Sequence, residues 1–295
     1  MDSMVETTPA VVSALITPMR EDRSIDAKNL QSLVQYEIAH GSEGFYCCGS
    51  SGEGLLLSVE ERKQVATLVS EVCKDKVPFY VHSGSLGTRE AIQLSVHAQE
   101  VGAKAVSLIP PIYYHYSQEE VENYYLDVVN AVDLGVIVYN IPQFTGISFS
   151  KNSAVMQHEK IIGVKHTSMN LYDLERLGQA FPEKILFNGF DEIFLYSLVA
   201  GAQSTIGTTV NVCPSLFTSI REDFLRSNIS GAQQKQHLLN TFIEAMVKEG
   251  IFPAVKYCMS CLGIPSGPCR KPFKELDHGA KLRIEGALKR IEAYL

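Results

Sequence analysis

The chain has no apolar segment of the roughly 18 residues that a bilayer-spanning helix requires, so no membrane partner is expected. Nor does it carry a Lys/Arg run: 33 acidic residues outnumber 26 basic ones, for a net charge of −7. Without a basic stripe nothing can follow a phosphate backbone, and no nucleic acid partner is expected. A secretory leader needs a basic start and a long apolar stretch. Here Asp2 and Glu6 precede a short apolar run, and a cytoplasmic location is expected. The cysteines lack the even count and close spacing of a disulfide framework. Seven are scattered, at 47, 48, 73, 213, 258, 261 and 269. Cys258 and Cys261 form a C-x-x-C pair with Cys269 nearby, but no fourth Cys or His at finger spacing completes a zinc site. Buried free thiols are expected instead.

What is present is an alternation. Short apolar runs ending in Gly, Pro, Ser or Thr alternate with longer segments of helical period, as in parallel βαβ units. Eight such runs occur, at residues 11–18, 44–49, 77–84, 105–111, 135–142, 161–167, 184–189 and 202–208. Ser58 and Ser117 open two of the helical segments, and Glu61 and Glu120, three residues on, complete capping boxes. Eight evenly spaced strands favour a (β/α)8 TIM barrel over an open sheet, with right-handed crossovers placing the helices outside. Beyond Cys213 the segments 214–225, 232–249, 252–262 and 278–295 read as further helices. The expected organisation is a barrel over residues 1–213 and a C-terminal helical extension over 214–295, packed on the barrel and not an independent domain.

In such a barrel the chemistry sits at the C-terminal strand ends. Lys165 stands near the end of the sixth run, where period-two alternation turns Ile161, Gly163, Lys165 and Thr167 inward and Ile162 and Val164 outward. An inward lysine is costly to keep charged, so its pKa is expected to fall from about 10.4 toward a range where the free amine attacks carbonyls. The same residue could instead pair with a strand-end carboxylate or bind phosphate. Tyr139 ends the fifth run and by the same parity faces inward beside Lys165, as a proton-transfer phenol or a half-buried tyrosine with a satisfied hydroxyl. After the second run, Gly49-Ser50-Ser51-Gly52-Glu53 offers glycines and hydroxyls suited to a small carboxylate, to phosphate, or to a plain turn. Asp191 and Glu192 follow the seventh run and Thr208 the eighth. They could line the barrel mouth or merely serve helix termini. His82, His115 and His166 lie on or after three different strands with no metal-ligand spacing, and surface or supporting roles are expected for them.

Together these segments resemble the dihydrodipicolinate synthase and N-acetylneuraminate lyase superfamily, and the likeness runs through nearly the whole chain. Gly49-Ser50-Ser51-Gly52-Glu53 resembles its carboxylate-binding loop, Tyr139-Asn140-Ile141-Pro142 its catalytic-tyrosine segment and Gly163-Val164-Lys165 its Schiff-base strand. The resemblance implies Lys165 as imine lysine and Tyr139 as proton-transfer residue, hydrogen-bonded toward Ser50. It implies Ser50, Ser51 and Gly52 at the carboxylate of pyruvate. The segments 165–168, 188–194 and 207–211 resemble those that contact sugar in the lyase branch. That likeness implies Thr167, Gly189, Asp191, Glu192 and Thr208 around a hydroxylated tail, and cleavage of N-acetylneuraminate to pyruvate and N-acetylmannosamine.

Two positions depart from the pattern: Ser51 replaces a familiar threonine, and Val210 a familiar tyrosine. In the synthase branch an arginine usually follows the tyrosine by five residues. Here Phe144 stands there, and it cannot pair with a carboxylate. Tyr113 resembles the tyrosine that reaches into a neighbouring subunit's site, which implies a homotetramer; alternatively it is an aromatic plug in its own barrel mouth. Because the lysine itself acts as electron sink, no metal or organic cofactor is expected. Other aldolases of 2-oxo-3-deoxy sugar acids, a metal-dependent aldolase and a barrel that only binds its ligand are the alternatives.

Overall fold

The structure, a computed structural model, describes residues 8–295. Asp2 and Glu6 lie outside the described residues. Eight parallel strands close into a barrel in sequence order: β1 (Val11–Ala14), β2 (Gly44–Cys47), β3 (Phe79–His82), β4 (Ala105–Leu108), β5 (Gly135–Asn140), β6 (Ile161–His166), β7 (Ile185–Asn188) and β8 (Ser204–Gly207). The helices interleaved with and following them are α1 (Ala27–Ala39), α2 (Val59–Cys73), α3 (Thr88–Glu100), α4 (Gln118–Ala131), α5 (Pro142–Thr145), α6 (Leu171–Ala180), α7 (Phe194–Val199), α8 (Pro214–Leu225), α9 (Ile229–Glu249), α10 (Ile251–Cys261) and α11 (His278–Arg290). The fold is therefore a (β/α)8 TIM barrel with extra C-terminal helices.

Most strands are shorter than the apolar runs that announce them. The Gly, Pro, Ser and Thr residues ending each run leave the ladder and become the loops of the mouth. Ser58 and Ser117 cap α2 and α4, and the reciprocal Glu61 and Glu120 bonds are both made. The side chain of Asn211 closes the ring where β1 meets β8: it accepts from Ile16 N–H and donates to the carbonyls of Ala14 and Thr208.

Alternation along the strands sorts side chains into two cores. Val12, Tyr46, Tyr80, Ile137, Phe187 and Ile206 fill the barrel. Val11, Val81, Val106, Val138 and Val164 face the helices. Tyr139 is inward and Val136 outward, as parity requires. The expected assignment is reversed at the start of β6: Ile161 joins the outer core and Ile162 packs against the inner one. The cause is a register shift, since Val136 pairs Ile161 while the next residue, Ile137, pairs Gly163. One residue is thereby extruded, and the parity from Gly163 onward is reset so that Lys165 still points inward.

Six cysteines are buried, but Cys261, expected to be buried, is exposed at the end of α10. His115 is at the surface, whereas His82 and His166 are buried. Among the described residues no helix is long and apolar enough to cross a membrane.

Candidate active site

Tyr139 on β5 pairs in register with Lys165 on β6, and strand pairing alone sets the two side chains together at the mouth. Lys165 is 4% exposed. Its Nζ lies 4.0 Å from the ring centroid of Tyr139 and 4.4 Å from that of Tyr46 on β2. The two tyrosine rings meet edge to face. Tyr46 donates to Ser107 Oγ at 3.0 Å, and its burial, with Tyr139 beside it, pushes its hydroxyl well above the usual phenol range. Lys165 thus stands on aromatic faces with no hydrogen bond or ion pair among the described residues. Its amine is left for a ligand.

Above it opens a cavity of about 280 Å³. Of the residues expected there, Lys165, Tyr139, Ser50, Ser51, Thr167, Gly189, Asp191, Glu192 and Thr208 all line it. Gly52 lies just behind the lining, its carbonyl accepting from Thr17 Oγ1 at 2.8 Å. The expected hydrogen bond between Tyr139 and Ser50 is not formed. Ser50 sits in a tight turn that carries it to the exposed lip, and it is Ser51 that turns inward, sharing a hydrogen bond of 2.7 Å with Thr208 Oγ1. Tyr113 is not at the cavity. At 85% exposure it is no plug in its own mouth. It stacks edge to face on Tyr114 and holds a left-handed backbone, with φ 84°.

Asp191 sits in a short 3-10 turn after β7 and is buried. Its Oδ2 accepts from Thr209 N–H at 2.8 Å and from the Thr209 hydroxyl at 2.7 Å, whereas Oδ1 is buried without a partner. Burial, and then the neighbouring Glu192 carboxylate, push its pKa up to about 6. Thr167 Oγ1 is likewise unpartnered. Two glycines leave room for these atoms. A Cβ on Gly189 would stand 1.8 Å from Thr167 Oγ1, and one on Gly207 would stand 1.9 Å from Asp191 Oδ1. Buried polar atoms without partners are uncommon in folded proteins, and two of them belong to residues that line this one cavity.

Several contributors escaped the strand-end reading. Ile243, Val247, Ile251 and Phe252, from α9 and α10, form an apolar side of the cavity. Gln236 on α9 donates to the carbonyls of Asp191 and Glu192 and accepts from Leu195 N–H, fixing the 3-10 turn. Beneath Tyr139 lies His82, edge-on to its ring, with Nδ1 3.2 Å from the Cys48 carbonyl and Arg62 Nη2 donating to the His82 carbonyl. Burial and the cations Arg62 and Lys165 hold the His82 imidazole well below its usual range, so it is neutral. Period-two counting can mark His82 as inward, but nothing local pairs it with Arg62. Val210 faces the outer core and does not reach the cavity. Phe144 lines the cavity's edge. Among the described residues no three His, Cys, Asp or Glu side chains converge as a metal site.

A barrel with a buried, unpaired lysine beside a tyrosine under a largely apolar cleft that carries a few polar groups defines a site for amine chemistry on a carbonyl compound. The chain belongs to the dihydrodipicolinate synthetase family, whose model matches residues 8–291. It is 36% identical over 285 residues to an N-acetylneuraminate lyase of Rhizobium meliloti (strain 1021), covering 96% of this chain and 95% of that one. Among solved structures it is similar to CdNal from Clostridium difficile in complex with mannosamine, with a TM-score of 0.94, 32% identity and coverage of 98% and 99%. A catalytic-lysine mutant of the Ruminococcus gnavus sialic acid aldolase superposes with a TM-score of 0.95, at 27% identity over the whole of both chains.

Proposed function

We propose that the chain is a Schiff-base lyase that cleaves N-acetylneuraminate reversibly to pyruvate and N-acetylmannosamine. The observation that carries this reading is Lys165, buried on two aromatic faces without a partner and in register with Tyr139. Lys165 Nζ attacks C2 of the open-chain sugar acid and water leaves, giving an iminium. That cation draws the C3–C4 bonding electrons toward nitrogen as the 4-hydroxyl gives its proton to the phenolate that Tyr139 became on protonating the departing water, and the restored phenol is the acid for the step that follows. The aldehyde N-acetylmannosamine departs, the enamine is protonated at C3, and hydrolysis releases pyruvate and restores the amine. The lysine is the electron sink, so these steps call on no metal or organic cofactor.

The turn 49–52, with Ser51 bridged to Thr208, receives the carboxylate. Asp191 and Thr167, which line the cavity and whose Oδ1 and Oγ1 have no partners, are the residues assigned to the tail, with Glu192 beside them and Gly189 leaving the space. Phe144 at the cavity edge speaks against the synthase reaction, because it cannot pair with a second substrate's carboxylate. We place the enzyme in the cytoplasm and assign it a homotetramer in which Tyr113 completes a neighbour's site; its exposure suits that role. The test is a product assay on the purified protein. N-Acetylneuraminate should yield pyruvate and N-acetylmannosamine, whereas condensation of pyruvate with aspartate semialdehyde, with no cleavage of the sugar acid, would overturn the assignment.

A further inference from the structure

A charge pair lies buried behind the 49–52 turn. Glu53, the residue after Gly52, is fully buried and holds a left-handed backbone at φ 57°. Its N–H donates to the Ser50 carbonyl at 3.1 Å, and Gly54 N–H donates to the Gly49 carbonyl at 3.0 Å. Any rotation at Glu53 therefore moves Ser50 and Ser51. Glu53 Oε1 is 2.5 Å from Lys256 Nζ on α10, and Oε2 accepts from Arg270 N–H at 2.6 Å. Lys256, 1% exposed, also donates to the Pro268 carbonyl at 3.1 Å. The other nearby charge, the Arg270 guanidinium, is spent on Glu61 and on the carbonyls of Leu56 and Arg23. None of Glu53, Lys256 and Arg270 lines the cavity, whereas Ser50 and Ser51 do.

Stability alone does not account for this arrangement, because a buried ion pair is commonly no better than apolar residues of similar volume. Its place is informative: the turn that receives an anion in front has a carboxylate built into its back. Left uncompensated, that carboxylate would repel the ligand or take up a proton. We propose that Lys256 is a positioning residue of the anion-binding turn, clamping Glu53 and cancelling its charge so that the front of the turn can seat a 2-oxo acid carboxylate. The proposal rests on the reading above that residues 49–52 receive that group.

The test measures pyruvate-dependent borohydride trapping on Lys165, with melting curves alongside, in wild type, Lys256→Met, Glu53→Gln and the double variant, from about pH 5.5 to about pH 8.5. Lys256→Met should raise the half-saturating pyruvate concentration by about tenfold or more, and increasingly with pH, while the maximal trapping rate changes by less than about threefold. Adding Glu53→Gln should abolish that pH dependence and bring half-saturation back to within about threefold of wild type. Glu53→Gln alone should shift half-saturation the other way, downward, and this arm decides the matter if Lys256→Met does not fold. The proposal is overturned by unchanged half-saturation in Lys256→Met, by a double variant as weak as the single one, or by a rise in Glu53→Gln. Wild-type protein that traps no pyruvate overturns the underlying reading and this proposal with it. Wild-type trapping with any of the other failures overturns the proposal alone.

Discussion

Lys165 on β6 and Lys184 just before β7 are equally buried, each 4% exposed, at opposite ends of the barrel. At the base, Lys184 Nζ donates to the carbonyls of His158 and Ile161 and lies 3.6 Å from Glu183. Nearby, Lys160 Nζ donates to those of Val129 and Val132. At the mouth, Lys165 Nζ lies over the rings of Tyr46 and Tyr139 with no hydrogen bond or ion pair among the described residues, and Thr167 Oγ1 and Asp191 Oδ1 are also without partners. Burial is the same and satisfaction is opposite. A buried lysine that folding has paired is part of the scaffold, whereas one left unpaired beside other unpaired polar atoms is held for something that arrives later.

The sharpest contrast should come from the lysines themselves. Lys165→Ala is expected to lose turnover and pyruvate trapping altogether. Lys184→Met should trap normally and melt about 3–6 °C lower, since charged donors to carbonyls contribute roughly 1.5–3 kcal/mol. Trapping lost in Lys184→Met, or kept in Lys165→Ala, would erase the distinction between the two ends. Next in size, Tyr139→Phe should slow cleavage by about 10²- to 10⁴-fold while still forming the pyruvate adduct. Steady-state rates close to wild type would remove the phenol from the reaction.

Asp191→Asn should raise KM for the sugar acid by about ten- to a hundredfold, the size of a lost hydrogen bond to a charged acceptor, with pyruvate half-saturation unmoved. Because the Asp191 carboxyl titrates at about 6, wild-type KM should worsen as pH falls through that value and a proton occupies an acceptor oxygen. The acidic limb should vanish in Asp191→Asn, and its persistence would assign it to another group.

The smallest effect concerns an unsatisfied group away from the mouth. Glu37 on α1 is fully buried beside Ser13, with neither oxygen partnered, and burial raises its pKa well above the usual carboxylate range. The folded protein keeps a proton that the unfolded chain releases above about pH 4.3. Stability from this group is thus full at low pH and drains as pH rises, by at most about 1.4 kcal/mol per pH unit, until the folded group also ionises. Glu37→Gln should melt higher than wild type by a margin that widens with pH, with unchanged kinetics. A variant that loses activity would mean that unsatisfied polarity outside the mouth is functional too.

The eight strands, the inward side of β5 and the placement of Lys165 and Tyr139 were legible because strand parity and the turn residues closing each run are local properties of the chain. Even there, the extruded residue at Ile162 inverted the start of β6, since a bulge depends on the neighbouring strand and leaves no local mark. Ser50, Ser51, Thr167, Asp191, Glu192 and Thr208 could be assigned to the mouth by resemblance, but not the exchange in which Ser51 bonds Thr208 while Ser50 stays at the lip. The long-range joints were out of reach altogether. Lys256 meets Glu53, Gln236 holds the Asp191 turn and Arg62 clamps His82 across 203, 45 and 20 positions of sequence respectively. Amino-acid order thus set which residues face inward and which end of each strand carries chemistry, because those follow from the two-residue repeat of a strand. Which of two equally buried lysines stays free was settled by tertiary packing, because a partner exists only once distant segments have closed around it.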